Sequence, residues 1–334
     1  MIKNFFKTHP VHKKIVTCFD YLFIFRPTLF FVVWVMISVG MYIAYLQNDY
    51  TLQWNVDYNF RTLIVFLSLS IICGATFITN QLSDSKSDTI NKKLFIVDSI
   101  INNQDAQNIY KYSIYVGGIL LLLSFSIYNI IIGISIFFIW DRLYNKEPYQ
   151  CKNNPFLGPL CNLSVGFLLI FSGWIVVHSN NQSLSFSYLY NFLLLIIPYL
   201  LCYLSVAIIT DIPDIEGDKS IQKNTFTLIY GKKTTLVIST LLVLLAFIIS
   251  YYLNDPLGSI ITVVSFPFFL FALFRGYNKD ILRAIRYPIF IMNFFVMTIF
   301  PVLFIFSIVV FYFSKYYYWH RFDIHYPTFI VDND

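Results

Sequence analysis

The stretch YSIYVGGILLLLSFSIYNIIIGISIFFIW, residues 112–140, contains no charged residue. A helix that crosses the apolar core of a bilayer needs roughly 20 apolar residues, so this stretch is long for one crossing and short for two. Seven other apolar segments each have about the length of one crossing: 22–46, 62–79, 159–178, 189–210, 234–253, 257–275 and 289–313. The chain therefore has eight or nine membrane-spanning helices, and residues 112–140 decide which.

The composition supports the membrane assignment. Of the 334 residues, 57% are hydrophobic and only 12% are charged, which is far from the balance of a soluble domain. The five cysteines are scattered without CxxC or Cys/His spacing, so neither a disulfide framework nor a zinc site is indicated. Basic residues flank the apolar segments, so the net charge of +5 gives no reason to expect a nucleic-acid partner.

Loop charges favour a hairpin within 112–140 that turns near Tyr128 and Asn129. Cytoplasmic loops of membrane proteins collect Lys and Arg. With nine helices, every Lys and Arg except Arg61, Lys315 and Arg321 falls on one side, whereas eight helices would divide them almost evenly. The sequence thus predicts an all-α integral membrane protein with nine transmembrane helices in one bundle. This bundle is a single domain over 1–334, with a cytoplasmic segment 1–20 and an external tail 315–334.

Two acidic motifs interrupt this apolar chain: Asn80-Gln-Leu-Ser-Asp84-Ser-Lys-Ser-Asp88 and Asp211-Ile-Pro-Asp214-Ile-Glu-Gly-Asp218. Their spacings, i, i+4, i+8 and i, i+3, i+7, each place three oxygen-bearing side chains on one face of a helix. The motifs follow predicted helices 2 and 6, which run in the same direction. Both are therefore expected at the cytoplasmic face, at equivalent points of two half-repeats.

Adjacent carboxylates on one helix face repel each other unless a cation neutralises them. Mg²⁺ prefers hard oxygen ligands in small number and leaves room for phosphate oxygens. We therefore predict two Mg²⁺ ions that bind a diphosphate between the motifs, with Asn80, Asp84, Asp88, Asp211, Asp214 and Asp218 as ligands. Two alternatives are acidic helix ends that are simply solvated, and a transporter. A transporter's carboxylates would lie in mid-span, whereas these lie at helix ends.

The two motifs resemble the NxxxDxxxD and DxxDxxxD signatures of the UbiA-type membrane prenyltransferases, and the resemblance covers nearly the whole chain. Asn80-Gln81-Leu82, Ile90-Asn91-Lys92 and the second motif are most similar to the homogentisate prenyltransferase and chlorophyll synthase branch. Smaller matches occur elsewhere. Arg26-Pro27-Thr28 resembles the family's Arg-Pro entry to helix 1, and the YSxPPxRxKxxP segment is matched in part by Tyr144, Lys152 and Pro155, with Asn162 following.

The resemblance implies Mg²⁺-dependent transfer of a polyprenyl group from a polyprenyl diphosphate, through an allylic carbocation, to an aromatic phenol or quinone precursor within the membrane lipid. The active site would face the cytoplasm. The implied catalytic residues are Asp84, Asp214, Lys152 and Tyr144, and the implied substrate-binding residues are Arg26, Lys93, Lys152, Asn162 and Lys223.

The chain departs from the family pattern after each motif. The Arg-Pro and Gly that follow the first motif in many members are missing after Asn91, and Lys93 is assigned the basic role. Gln222-Lys223 replaces the Gly-Lys that often follows the second motif. These departures leave the acceptor open. A glycerol-phosphate or pentose-phosphate acceptor, internal cyclisation of the cation, and a non-catalytic lipid-binding or transport protein remain alternatives.

Overall fold

The computed structural model describes residues 5, 7–47, 60–91, 96–178 and 186–328, whose regular structure is helical apart from one isolated bridge. The helices are α1 (Pro10–Phe23), α2 (Phe30–Gln47), α3 (Phe60–Ile90), α4 (Asn103–Leu123), α5 (Ile127–Phe137), α6 (Leu157–His178), α7 (Phe186–Leu195), α8 (Ile197–Ile209), α9 (Ile215–Ser220), α10 (Phe226–Tyr230), α11 (Lys232–Tyr252), α12 (Pro256–Arg275), α13 (Asn278–Ile299) and α14 (Pro301–Phe322). A π-helix, Phe138–Asn145, continues α5, and 3₁₀ turns occupy Pro27–Leu29 and Cys151–Asn153.

Nine segments of the described residues are long and apolar enough to cross a membrane. They are Pro27–Gln47, Phe60–Ile90, Ile127–Asn145, Leu157–His178, Phe186–Ile209, Lys232–Tyr252, Pro256–Arg275, Asn278–Ile299 and Pro301–Phe322. The predicted number is matched for this part of the chain, but the two sets of nine differ. Helix α4, the first arm of the predicted hairpin, is not among these segments, and the predicted span 289–313 is replaced by two of them.

The hairpin within 112–140 is confirmed, but its turn lies at 124–126, slightly before Tyr128. Ser126 caps α5, since its hydroxyl accepts a hydrogen bond from the Asn129 N–H at 3.4 Å. The first arm, α4, begins in polar residues at Asn103 and not at 112. This polar start explains why the apolar stretch looked too short for two helices.

The prediction of one helix over 289–313 is wrong. The structure ends α13 at Ile299, places Phe300 outside helical geometry and starts α14 at Pro301. Proline lacks a backbone N–H and disfavours helical geometry in the residue before it, so Pro301 can begin a helix but not continue one. The predicted single span is therefore two helices, and α14 is an additional candidate crossing.

This extra crossing brings the end of α14 back to α1. The Tyr317 hydroxyl donates a hydrogen bond to Asp20 at 2.8 Å, and the Arg321 guanidinium lies 3.1 Å from the other oxygen of the same carboxylate. Lys7 pairs with Asp323 at 2.6 Å. The prediction that 315–334 lies on the face opposite to 1–20 is therefore wrong for the described part of this tail.

Two small residues bring α2 and α6 into backbone contact at the centre of the bundle. A Cβ atom on Gly40 would overlap the carbonyl group of Ile170, and one on Gly173 would overlap the carbonyl group of Ile37. Small residues permit such close helix packing within membranes. This packing holds α2, which follows Arg26 in the chain, against α6, which contains Asn162.

Candidate active site

The first acidic motif lies on the last turns of α3, which continues to Ile90 and not only to residue 79. The prediction that its members share one helix is confirmed. Asp84 and Asp88 are only 9% and 4% exposed, although both are acidic. Asn80 lies one turn earlier on the same helix and is half-buried.

The second motif does not lie on one helix, so that prediction is wrong. Helix α8 ends at Ile209, Asp211 lies in the following turn, and Asp214 immediately precedes α9, which contains Asp218. Pro213 explains the break, because a proline cannot donate the helical hydrogen bond and restricts the residue before it. The short helix α9 is consequently free to point towards α3.

Three basic side chains contact the motifs, and one of them, Lys223, contacts both. The Lys223 ammonium lies 3.1 Å from Asp84 Oδ1 and 3.0 Å from Asp218 Oδ1. The Lys152 ammonium lies 2.9 Å from the same oxygen of Asp84. Arg26 lies 3.6 Å from Asp88 Oδ2. The structure thus brings Arg26, Lys152 and Lys223 together with both motifs, while Lys93 lies outside the described residues.

The two lysines that share Asp84 differ electrostatically. Burial lowers the pKa of Lys152 below its ordinary value, and the attraction of Asp84 only partly offsets this effect. Burial also acts to lower the pKa of Lys223, but Asp84 and Asp218 together raise it above its ordinary value. Two carboxylates therefore hold Lys223 in its charged form, whereas Lys152 is held mainly by one.

Asn91 connects the two motifs and was given no role by the sequence prediction. Its side-chain oxygen accepts a hydrogen bond from the Gly217 N–H at 2.8 Å, and its amide donates to the Asp214 carbonyl at 3.3 Å. A Cβ atom on Gly217 would lie 2.4 Å from the Asn91 amide nitrogen and 2.6 Å from the Ser87 carbonyl oxygen. The only sequence signal was an amide one turn beyond Asp88.

Tyr144 lies at the end of the π-helix and faces the same site. It lies beside Asn162 and is close enough to Asp211 and Asp84 to interact electrostatically. Asn162 is itself held by Trp140, whose indole N–H donates to its side-chain oxygen at 2.9 Å. π-Helices occur frequently at functional sites. The structure therefore brings Tyr144 and Asn162 to the motifs.

Two further polar residues near Lys152 were missed. Its ammonium donates to the Ser83 hydroxyl and to the Asn145 side-chain oxygen, the latter at 3.4 Å. The Asn145 amide in turn lies 3.5 Å from the Thr79 hydroxyl. Asn145 is buried next to Tyr144 in an apolar span, and this position was the signal available in the sequence.

The donor atoms fit a divalent cation, although the six predicted ligands do not form one group. Within the described residues, no three His, Cys, Asp or Glu side chains are arranged to hold a metal ion. Asp84 and Asp218 nevertheless approach one shared cation, the Lys223 ammonium. Hard carboxylate oxygens that converge on one positive charge are the donor type that Mg²⁺ prefers.

Residues 32–294 match the UbiA prenyltransferase family. The match covers most of the chain, and the chain belongs to this family of helical integral membrane proteins.

Individual relatives differ in the acceptors that their names indicate. A 2-acylphloroglucinol 4-prenyltransferase from Humulus lupulus is 28% identical over 214 residues, which cover 61% of this chain and 49% of the relative. A digeranylgeranylglyceryl phosphate synthase from Methanosphaera stadtmanae is 28% identical over 201 residues, which cover 59% of this chain and 69% of the relative. The aligned part of the chain thus spans about half the length of the plant relative.

Among solved structures, a UbiA homolog from Archaeoglobus fulgidus bound to GPP and Mg²⁺ superposes with a TM-score of 0.60 at 15% identity. The superposition covers 84% of this chain and 99% of that one. At this identity the likeness concerns the fold, and it agrees with the bundle of membrane-spanning helices described above.

Proposed function

We propose that this protein transfers a prenyl group from a polyprenyl diphosphate to an acceptor within the membrane. The observation on which this rests is the contact of Lys223 with Asp84 and Asp218, one residue from each acidic motif. The contact forms a charged, buried site at one end of an apolar bundle. A diphosphate head and an apolar prenyl tail match such a site, because the head needs charge and the tail needs an apolar surrounding.

The motif residues Asn80, Asp84, Asp88, Asp211, Asp214 and Asp218 would hold Mg²⁺, and we propose two ions. Bound Mg²⁺ would neutralise the diphosphate and so stabilise it as a leaving group. Lys152 and Lys223 supply fixed positive charge at the same place, and Arg26 supplies a third charge through its contact with Asp88. Charges that are already in position stabilise a leaving group without the cost of reorganising water.

Cleavage of the allylic C–O bond leaves its electron pair on the diphosphate and an allylic cation on the prenyl group. Tyr144 faces the site beside Asn162, so its ring can shield the cation and present electron density to it. An electron-rich acceptor then forms the new bond and loses a proton. Asp84 and Asp214 are the proposed bases, because both carboxylates belong to the motifs that meet at this site.

An aromatic phenol or quinone precursor is the acceptor we propose. The plant relative supports an aromatic acceptor by its name, while the archaeal relative is named for a glyceryl phosphate product. A glycerol-phosphate acceptor is therefore the second candidate. The cytoplasm is the proposed location of the site, because Lys and Arg concentrate on its face of the bundle.

The test uses purified protein in vesicles with a prenyl diphosphate labelled in its diphosphate group. We expect Mg²⁺-dependent release of diphosphate, and loss of at least about 100-fold in rate for Asp84→Ala and for Asp218→Ala, because each removes a leaving-group contact. Lys86→Ala is the matched control, since Lys86 lies on α3 between Asp84 and Asp88 and is exposed.

The possible outcomes separate the alternatives. Full activity in both Asp variants, or activity in EDTA, would refute the proposal. Release that does not need an acceptor indicates cyclisation, and binding without release indicates a lipid-binding or transport protein. Phenolic and glycerol-phosphate acceptors, supplied in parallel, distinguish the two transferase candidates.

A further inference from the structure

The connection between α8 and α11 lines an open cavity of about 500 Å³ beside the candidate active site. It lies between the short helices α9 and α10 and the start of α11. Lys223 lines this cavity and also contacts Asp84 and Asp218. The side chain of Lys223 therefore connects the cavity to the acidic motifs.

The lining of the cavity is basic. Lys219 and Lys232 join Lys223 there, and among the described residues that line the cavity none is Asp or Glu. Asn224 and Thr227 add an amide and a hydroxyl group. Helix α9 separates the two charge types, because Asp218 turns towards Asp84 while Lys219 faces the cavity.

We propose that this cavity is a second anion site, which binds a phosphate-bearing ligand next to the acidic motifs. Lys219 and Lys232 supply the charge, since neither belongs to the acidic-motif cluster. The volume lies within the range of roughly 300 to 1,000 Å³ that small-molecule sites occupy. A diphosphate or a lipid headgroup is small enough for this cavity, and the bulk of a lipid could remain outside.

Two sources provide this chemistry. One is inorganic diphosphate, which the proposed reaction releases beside Lys223 and which must leave towards water. The other is the headgroup of an anionic lipid at the membrane surface, where basic loops commonly contact phosphate. The cavity recognises the same group in both cases, and binding can be measured without any prenyl donor, so this inference can fail while the proposed function holds.

The experiment compares the wild-type protein with the double variant Lys219→Gln/Lys232→Gln. In the first arm, inorganic diphosphate is titrated into detergent-solubilised protein with EDTA present, and heat is measured. In the second arm, native mass spectrometry measures how much phosphatidic acid stays bound after exchange from vesicles of phosphatidylcholine and phosphatidic acid. One charge-assisted hydrogen bond corresponds to roughly a tenfold change in affinity, so the double variant should weaken binding by at least about tenfold.

Lys233→Gln is the matched control, because Lys233 is exposed at the start of the same helix and does not line the cavity. It should bind as the wild type does, and Lys219→Arg/Lys232→Arg should retain binding because the charges remain. Loss confined to the first arm supports a soluble diphosphate, and loss confined to the second supports a lipid headgroup. Equal binding by wild type and double variant in both arms overturns the inference.

Discussion

Asp84 is the residue on which the candidate site is centred. One of its oxygens contacts the ammonium groups of both Lys152 and Lys223, although its side chain is only 12% exposed. Ions in such a position are costly to bury, and removal of one partner leaves an uncompensated charge. The stability of this part of the molecule should therefore change whenever a cation beside Asp84 is added or removed.

This sensitivity predicts how Lys223→Met should behave. The substitution leaves Asp218, only 5% exposed, without the lysine that pairs with it. We expect a loss of roughly 3 kcal/mol of stability in EDTA, in line with the cost of breaking a buried ion pair. Mg²⁺ should raise the melting temperature of the variant more than that of the wild type, because the ion replaces the lost charge.

Thermal unfolding in detergent, with EDTA or with Mg²⁺, measures this difference. Lys219→Met is the control, since Lys219 is exposed on α9, the short helix that contains Asp218, and has no ion pair with Asp84 or Asp218 among the described contacts. An equal response of both variants to Mg²⁺ would contradict a cation site at Asp84 and Asp218.

At this scale the sequence pointed to charged residues that the structure brings together, but not to their neutral partners. Asp84 and Asp218 stand out because a carboxylate in an apolar chain is costly to bury unless it is paired. Asn91 and Asn145 do not, because amides occur at many helix ends for capping alone. Their roles depend on contacts with residues more than 60 positions away, which no local pattern contains.

At the scale of elements, the packing of α9 against the end of α3 brings the two motifs together. Gly217 permits this approach, because its missing side chain leaves room for Asn91 and the Ser87 carbonyl. The Gly217 N–H then donates to Asn91 at 2.8 Å. Close approach of the backbones, and not a shared helix, therefore sets the distance between Asp84 and Asp218.

Gly217→Ala should separate the two motifs. The added Cβ would meet backbone and amide atoms at 2.4 to 2.6 Å, so α9 must shift away from α3. We expect at least about a tenfold loss of prenyl transfer, with a higher Mg²⁺ requirement, because a displacement of 1 Å can cost roughly 100-fold in rate. Transfer is measured against Mg²⁺ concentration, and the amount of folded protein is checked by size-exclusion chromatography.

Gly118→Ala provides a comparison on α4, since a Cβ there meets no atom within 4 Å. It should leave both the rate and the Mg²⁺ requirement unchanged. Wild-type Mg²⁺ dependence in Gly217→Ala would show that the contact of α9 with α3 does not set the site geometry.

Two prolines account for most of the errors in element prediction. Apolar length alone assigned 289–313 to one helix, but Pro301 starts a new one. Spacing alone placed the second motif on one helix, but Pro213 interrupts it. The length of an apolar segment identifies most spans correctly, because bilayer thickness sets the length that a span needs. Helix ends depend on single residues, which a length criterion ignores.

For the whole molecule, the extra crossing changes the charge distribution in an informative way. Both described ends of the chain, α1 and the end of α14, lie on the face of the candidate site. Among the described Lys and Arg residues, Arg61 is then the one at the opposite end of the bundle. The observed connectivity therefore places every described Lys and Arg except Arg61 on the face of the candidate site. The predicted connectivity also left Lys315 and Arg321 on the opposite face.

This distribution predicts that the candidate site and both ends face the cytoplasm, since positive charge is retained on that side. Phe125 marks the opposite end, in the turn between α4 and α5, and is 85% exposed. Tyr277 marks the site end and Ile324 the tail, and both are also exposed. A membrane-impermeant maleimide should label Phe125→Cys in intact cells, and should label Tyr277→Cys and Ile324→Cys only after the membrane is opened.

The experiment needs a Cys18→Ser/Cys151→Ser background, because Cys18 is exposed and Cys151 is half-buried near Lys152. Its outcomes separate orientation from connectivity. Labelling of Tyr277→Cys in intact cells would reverse the orientation of the whole bundle. Labelling of Ile324→Cys but not of Tyr277→Cys would mean that α14 does not return, and that the break at Pro301 does not turn the chain. Protection of both requires the return of α14, because an even number of crossings separates two positions on the same face.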